Sequence, residues 1–263
     1  MTKTDWNPKA YGRFHDLRLR PALYLMGRIG ALPEAARAGT GGIVDLGCGA
    51  GAVGPALADR FAGWSVTGVD ASPNMLEAAR ATGAYAALVR ADVADWQPDA
   101  PPALIFCNAA LQWLPDHASL MPRLAAGLAP GGVLAVQMPR QWAAPSHRFL
   151  RDIAATMFPG RFAVAQPSPV DSAVSYWELL APLGRVEAWE TDYVQHVTPI
   201  GDGHPVRRFT ESTVMRPYAE PLTPDELEGF VAAYDAALGA AYPVLADGSA
   251  LMSFRRVFFV LTV

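Results

Sequence analysis

The chain has 263 residues, a formal net charge of −4, 51% hydrophobic residues and two cysteines. That much apolar material excludes global disorder, and the negative charge argues against a binder of nucleic-acid phosphates, which needs a basic surface. Cys48 and Cys107 make no disulfide framework and fit a reducing cytoplasm, and no apolar run reaches the roughly 18–20 residues of a membrane span.

The first twenty residues carry Trp6, Tyr11 and five basic side chains, without an apolar stretch before a small-residue cleavage site. No secretory leader is expected. From residue 43, short apolar runs alternate with helical stretches. Ile43–Leu46 is a strand that ends in Gly47-Cys-Gly-Ala-Gly51, and a helix through Val53, Leu57 and Phe61 follows. Ser65–Val69 is the next strand, ending at Asp70. Ser72-Pro73 then starts a helix, with serine as cap and proline in the first turn. Ala86–Val89 precedes Asp92, Ala103–Cys107 precedes Asn108, and Val133–Met138 follows the turn Pro130-Gly-Gly132. Five strands alternating with helices predict a doubly wound, mostly parallel α/β sheet of the Rossmann-like kind.

Further on, a helix around Tyr176–Leu180 leads into an extended run, Arg185–Val197. Thr223-Pro-Asp-Glu226 is a capping box for a helix with Leu227, Phe230, Val231, Tyr234 and Leu238 on one face. Val257–Val263 is a continuously apolar last strand. The expected organisation is one domain over 1–263. An N-terminal helical cap occupies 1–42, a cofactor-binding core 43–139, and a substrate-side half 140–263 with a helical insert at about 198–250.

Parallel sheets bind ligands at the carboxyl ends of their strands. Gly47, Gly49 and Gly51 let backbone approach a ligand after the first strand. Asp70, about 20 residues on, suits ribose hydroxyls. Gly49-x-Gly51-x-x-Gly54 alone also satisfies the dinucleotide fingerprint. Three features tilt away from a nicotinamide cofactor: Asp45 inside the first strand, Asp92 suited to an adenine amino group, and no later hydride-handling site.

Asp45-Leu-Gly-Cys-Gly-Ala-Gly51 closely resembles the first motif of class I S-adenosylmethionine-dependent methyltransferases. Over nearly the whole chain there is a narrower resemblance, to the trans-aconitate 2-methyltransferases. It rests on Asp5-Trp-Asn-Pro8, Tyr11-x-x-Phe14, Arg18-x-Arg-Pro-Ala22, Leu111-Gln-Trp-Leu-Pro-Asp-His117, Trp142-x-x-Pro-x-His147, Arg216-Pro-Tyr218 and the segment Phe254–Phe259. The resemblance implies a seven-stranded sheet and S-adenosylmethionine as cofactor. It places Tyr11, Arg20, Asp45, Gly47, Cys48, Gly49, Gly51, Asp70, Ala71, Met75, Asp92, Val93, Asn108, Ala109 and Trp113 around that cofactor. It further implies methylation of one carboxylate of a small polycarboxylic acid. The chain departs from the family at Arg140-Gln141, at Ser212–Met215 and at Arg255, all in the substrate half.

A carboxylic acid with pKa near 4 is ionised at pH 7, so its methylation needs no general base, and no catalytic residue is assigned. Arginines should instead grip the carboxylates that do not react. Of 21 basic residues only Lys3 and Lys9 are lysine. Composition alone does not separate coding bias from a need for guanidinium forks. The candidates are Arg207, Arg208, Arg216, Arg255 and Arg256, with Trp142, His147, Tyr193 and His196 as wall or donor residues. Cys48 is expected to be a neutral packer and His117 a helix-cap residue. The histidines show no metal-ligand spacing, so no metal is expected. The expected partner is a small carboxylic acid, with no nucleic acid and no membrane. A hydroxyl or amine acceptor, and a non-catalytic nucleotide binder, are the other functions these residues allow.

Overall fold

The computed structural model describes residues 15–34, 41–162 and 168–263. The first described element is helix α1 (His15–Met26), followed by β1 (Ile43–Leu46), α2 (Gly54–Arg60), β2 (Val66–Asp70), α3 (Pro73–Arg80) and β3 (Ala87–Arg90). Then come β4 (Leu104–Asn108), α4 (His117–Ala126), β5 (Val133–Pro139), α5 (Pro145–Met157), α6 (Ala173–Leu180) and β6 (Arg185–Val197). The chain closes with α7 (Pro205–Glu211), α8 (Arg216–Ala219), α9 (Pro224–Ala241) and β7 (Ala250–Thr262).

The strands form one seven-stranded sheet in the order β3-β2-β1-β4-β5-β7-β6. β1 to β5 pair in parallel, and β7 runs antiparallel to β5. From β1 the chain winds outward through β2 and β3, then returns to build β4 and β5 on the other side. The crevice of this fold therefore lies between the carboxyl ends of β1 and β4.

The described chain divides into two compact units, 1–139 with 169–191 and 256–263, and 140–168 with 192–255. In the first unit, Val44, Leu46, Ile105, Cys107, Leu134, Val136 and Met138 face one side of the sheet. They join Leu120 and Leu124 of α4 and Tyr176 and Leu180 of α6 in one core. The alternate residues face the other side, where Tyr24 of α1 packs edge-on against Phe258 of β7. The central strands β1, β4 and β5 are thus covered on both faces, which is why they read as near-continuous apolar runs. In the second unit α9 packs on α5 and α7, burying Phe230, Tyr234 and Leu238 from the predicted stripe; Leu227 and Val231 are only half-buried. No helix among the described residues is long and apolar enough to cross a membrane.

Local chemistry sets the helix starts. Ser72 Oγ accepts the Met75 N–H, and Thr223 with Glu226 forms the full capping box. One expected boundary is corrected: β7 begins at Ala250, seven residues before the apolar run at Val257. Its first half alternates buried Ala250, Met252 and Phe254 with exposed Leu251, Ser253 and Arg255, so one face meets solvent and the continuous run is lost.

Candidate active site

The loop after β1 and the loop after β4 meet at the topological switch point. Gly47 has φ +76°, and a Cβ there would collide with Ala110. Ala109 lies in the left-handed region at φ +54°, a conformation that costs a non-glycine residue about 1–2 kcal/mol and turns the chain sharply at the end of β4. Gly49, at φ +54°, is different: its missing side chain would point into open space. That opening is where backbone can approach a ligand.

Asp70, at the end of β2, fixes this loop. One carboxylate oxygen accepts the Gly49 N–H at 2.9 Å and the other the Ser72 N–H at 2.8 Å. An ionised carboxylate only accepts, so it is the kind of group to which ribose hydroxyls donate. Asp92 is exposed after β3, where Oδ1 accepts the Ala94 N–H at 2.9 Å. Val93 packs against the core beside it. The turn is pinned from α4, since Arg123 donates to the carbonyls of Ala94 and Trp96 at 2.5 and 2.7 Å.

Asn108 ends β4 with Oδ1 buried and without a hydrogen-bond partner among the described residues. In register it sits beside Gln137 of β5, and Pro139 of β5 sits beside Arg256 of β7. With a two-residue strand period, Asn108, Gln137 and Arg256 share the α1 face of the sheet. Gln137 is fully buried; its Oε1 accepts from Arg256 Nη1 at 3.1 Å, and its Nε2 meets no partner among the described residues. Arg256 is 2% exposed.

Of the other predicted cofactor residues, Met75 is buried under the Ser72 cap, Ala71 and Arg20 are exposed, and Trp113 is half-exposed. Tyr11 lies outside the described residues. Cys48 is buried against Leu76 and Ala79, and burial beside Asp45 and Asp70 pushes its thiol far up, so it stays neutral. His117 is the first residue of α4 and is buried. Its Nδ1 accepts from Tyr176 at 2.6 Å, and Nε2–H donates to the Leu111 carbonyl at 2.9 Å. This neutral ring, its basicity lowered chiefly by burial, ties α6 to the short 3₁₀ turn Leu111–Trp113 beside the site.

Most of the predicted substrate arginines are matched to carboxylates of the chain itself. Arg207, buried, pairs with Asp235 at 2.8 Å and with Glu211. Arg216 binds Glu220 through Nε and Nη2 at 3.1 and 2.9 Å, and Arg208 pairs with Glu211. Arg255 points outward and makes a two-point pair with Asp192, both at 2.9 Å. In this structure the four side chains are held in internal ion pairs, because each finds a local carboxylate within reach. In the same unit, Trp142 carries the Arg151 guanidinium 3.7 Å over its ring. His147 is half-buried, with Nδ1 3.1 Å from Ser146 Oγ; desolvation and Arg151 bring it down to about 4. Tyr193 is buried, and His196 meets Ser249 Oγ at 2.7 Å.

Sequence reasoning missed Gln137 and Tyr85. Gln137 had a signal, an amide inside an otherwise apolar strand. Tyr85 had none: its hydroxyl donates to Asp45, 40 residues earlier, at 2.7 Å. Among the described residues no group of three or more His, Cys, Asp or Glu could hold a metal ion. The opening at Gly49, the Asp70 carboxylate and the unmet Asn108 Oδ1 fit a nucleoside with a polar amino-acid tail.

Residues 43–132 match a family model described as a methyltransferase domain. The chain is 44% identical over 263 residues to a trans-aconitate 2-methyltransferase of Paracidovorax citrulli, covering 97% of each. It is 43% identical over 265 residues to one of Methylobacterium radiotolerans, again covering 97% of each. Among solved structures, phosphoethanolamine N-methyltransferase 2 of Haemonchus contortus in complex with S-adenosyl-L-methionine aligns with a TM-score of 0.52 at 17% identity. That alignment covers 96% of this chain and 56% of that one. The YcgJ protein of Bacillus subtilis aligns at 0.53 and 13% identity, covering 92% and 98%. At these identities both speak to the fold alone.

Proposed function

Because the chain belongs to the trans-aconitate 2-methyltransferase family, we propose that it methylates one carboxylate of trans-aconitate, or of a close polycarboxylate relative, to a monomethyl ester. Bound S-adenosylmethionine supplies a sulfonium methyl, which an acceptor oxygen takes by in-line displacement that leaves a neutral sulfide. Asp70 would accept the ribose hydroxyls, Asp92 and Val93 would meet the adenine, and Asn108 Oδ1 would accept from the amino-acid tail. Gly49 keeps the approach clear.

The observation that carries the acceptor assignment is the row of half-buried Asn108 and buried Gln137 and Arg256, which lies near the carboxyl ends of β4 and β5 with Arg256 beside them in the middle of the antiparallel β7. Gln137 holds one edge of the Arg256 guanidinium, and its free amide N–H adds a second donor of the kind a carboxylate accepts. This pair would grip a carboxylate that does not react. A fork on the attacking oxygens would stabilise the ground-state anion and slow the transfer. No residue need act as a base, since the acceptor is already ionised.

The test is a panel of acceptors with methyl-labelled donor: trans-aconitate, smaller dicarboxylates and neutral analogues. We expect the highest kcat/KM on trans-aconitate or a close relative. Arg256→Ala should cost about 2–5 kcal/mol in kcat/KM, as truncating one partner of a desolvated charge pair does. A neutral acceptor turned over well, with carboxylates inert and Arg256→Ala silent, would sink the assignment.

A further inference from the structure

We propose that Tyr85 is the positioning residue for the cofactor loop: its ring fills the space three glycines leave open, and its hydroxyl holds the carboxylate of Asp45. The role deepens the methyl-transfer assignment and rests on it for the identity of the ligand.

Tyr85 lies in the segment before β3. A Cβ on Gly51 would sit 3.0 Å from its ring, on Gly54 2.6 Å, and on Gly68 3.0 Å. Real Cβ atoms essentially never come as close as the one at Gly54 would, so Gly54 and this ring require each other; the 3.0 Å at Gly51 and Gly68 is tighter than most real contacts, and Ala79 and Leu88 crowd those two positions as well. The register explains the third: Gly68 of β2 pairs with Asp45 of β1, and the absent side chain lets the ring lie across β2 to reach that carboxylate. The hydroxyl donates to Asp45 Oδ2 at 2.7 Å. Gly54, the last glycine of the apparent dinucleotide fingerprint, thus makes room for protein rather than for a ligand.

Asp45 is buried two residues before Gly47. Its carboxyl is pushed up to about 7, chiefly by burial, with the Tyr85 hydrogen bond opposing the rise and the nearby Asp70 charge adding to it. The titratable groups facing it are Tyr85, Asp70 at the end of β2, Cys48 in the loop and Cys107 in β4. Both thiols and the phenol are pushed upward and stay neutral, which leaves Asp70 as the one charged neighbour among these four. S-adenosylmethionine carries a net positive charge, so an ionised Asp45 beneath the loop favours it. Removing the hydroxyl should protonate Asp45 at neutral pH and loosen that hold.

The experiment follows the amide ¹H–¹⁵N shifts of Gly47, Gly49 and Gly51 in the full chain without ligand from about pH 5.5 to 9, and measures the S-adenosylmethionine Kd over the same range. Tyr85→Phe keeps the ring; Tyr85→Leu removes both features. In the native protein the glycine amides should titrate with a midpoint near the Asp45 value. Tyr85→Phe should move that midpoint upward and raise the Kd roughly three- to tenfold at pH 7, with the gap closing towards pH 9 and Tm near native. Tyr85→Leu should raise the Kd at every pH. An unmoved glycine midpoint in Tyr85→Phe, or a Kd equal to native at every pH, overturns the proposal. A Tyr85→Phe variant that only loses Tm also overturns it, because then the contact is merely structural. If the native chain binds no S-adenosylmethionine, the methyl-transfer assignment fails instead, and the glycine titration still decides the role of Tyr85.

Discussion

Replacing Arg207 with alanine separates a structural arginine from a substrate-gripping one. Its side chain is 9% exposed, and its partners Glu211 and Asp235 are 27% and 26% exposed. Its guanidinium also donates to the Asp202 carbonyl at 3.1 Å, and the space over Gly203 is what admits it. Breaking a buried ion pair from one side costs about 3–5 kcal/mol, because the other charge stays behind. Here both carboxylates keep partial access to water, so about 2–3 kcal/mol is the expected loss. For a chain of this size each kcal/mol lowers Tm by roughly 2–4 °C, which puts the variant about 5–10 °C below native. Calorimetry gives the Tm, and kcat/KM for trans-aconitate well below that temperature should stay within about threefold of native. A Tm within about 1 °C of native together with a hundredfold loss of kcat/KM would falsify the assignment of Arg207 as structural and return it to the acceptor site.

Gly49→Val should abolish measurable S-adenosylmethionine binding by calorimetry, since a β-branched side chain at φ +54° is strained and fills the open approach; near-native affinity would place the ligand elsewhere. Asp70→Ala should weaken the same binding by about 1.5–3 kcal/mol, the range for a hydrogen bond to a charged group. With both substrates saturating, the single-turnover rate should show no limb from a catalytic base between about pH 6 and 9. A clear acidic limb there would point to a hydroxyl or amine acceptor. His147, brought down to about 4, stays neutral in the fold while an unfolded histidine takes its proton near 6.5. The unfolded chain therefore binds the extra proton between about pH 4 and 6.5, so this contribution to stability rises with pH across that window and is flat above it. His147→Gln should flatten the corresponding slope of Tm against pH, and an unchanged slope would assign the effect to other groups.

What the sequence revealed best was what neighbouring residues decide. The Ser72 and Thr223 caps are local hydrogen bonds, and Ile43–Leu46 and Arg185–Val197 are bounded by glycines and a proline, so their limits agree with the structure. β7 was read short because its first half is covered on one face only. Asp70 and Asp92 were legible as candidates because they lie at or just after strand ends, and strand ends in a parallel sheet face the crevice. The arginines were harder. Arg207, Arg216 and Arg255 carry charge that any reader sees, but Asp235, Glu220 and Asp192 as their partners follow from helix pitch and from chain segments brought together by folding. His117 was expected near a cap; its burial against Tyr176, 59 residues later, needed the packing of α6 on α4. Tyr85 was invisible for the same reason, although the glycines that accommodate it were already in view.

The most direct test of methyl transfer to a carboxylate is to find where the methyl goes. The native chain is incubated with trans-aconitate and S-adenosylmethionine labelled in the sulfonium methyl, and the product is isolated and treated with mild alkali. An ester hydrolyses under those conditions, whereas a methyl ether, amine or carbon–methyl bond does not. One labelled methyl per product, released completely as methanol with trans-aconitate regenerated, is the predicted result. Label that stays on the product through alkali, or no labelled product from trans-aconitate and its close polycarboxylate relatives at any concentration, would contradict it.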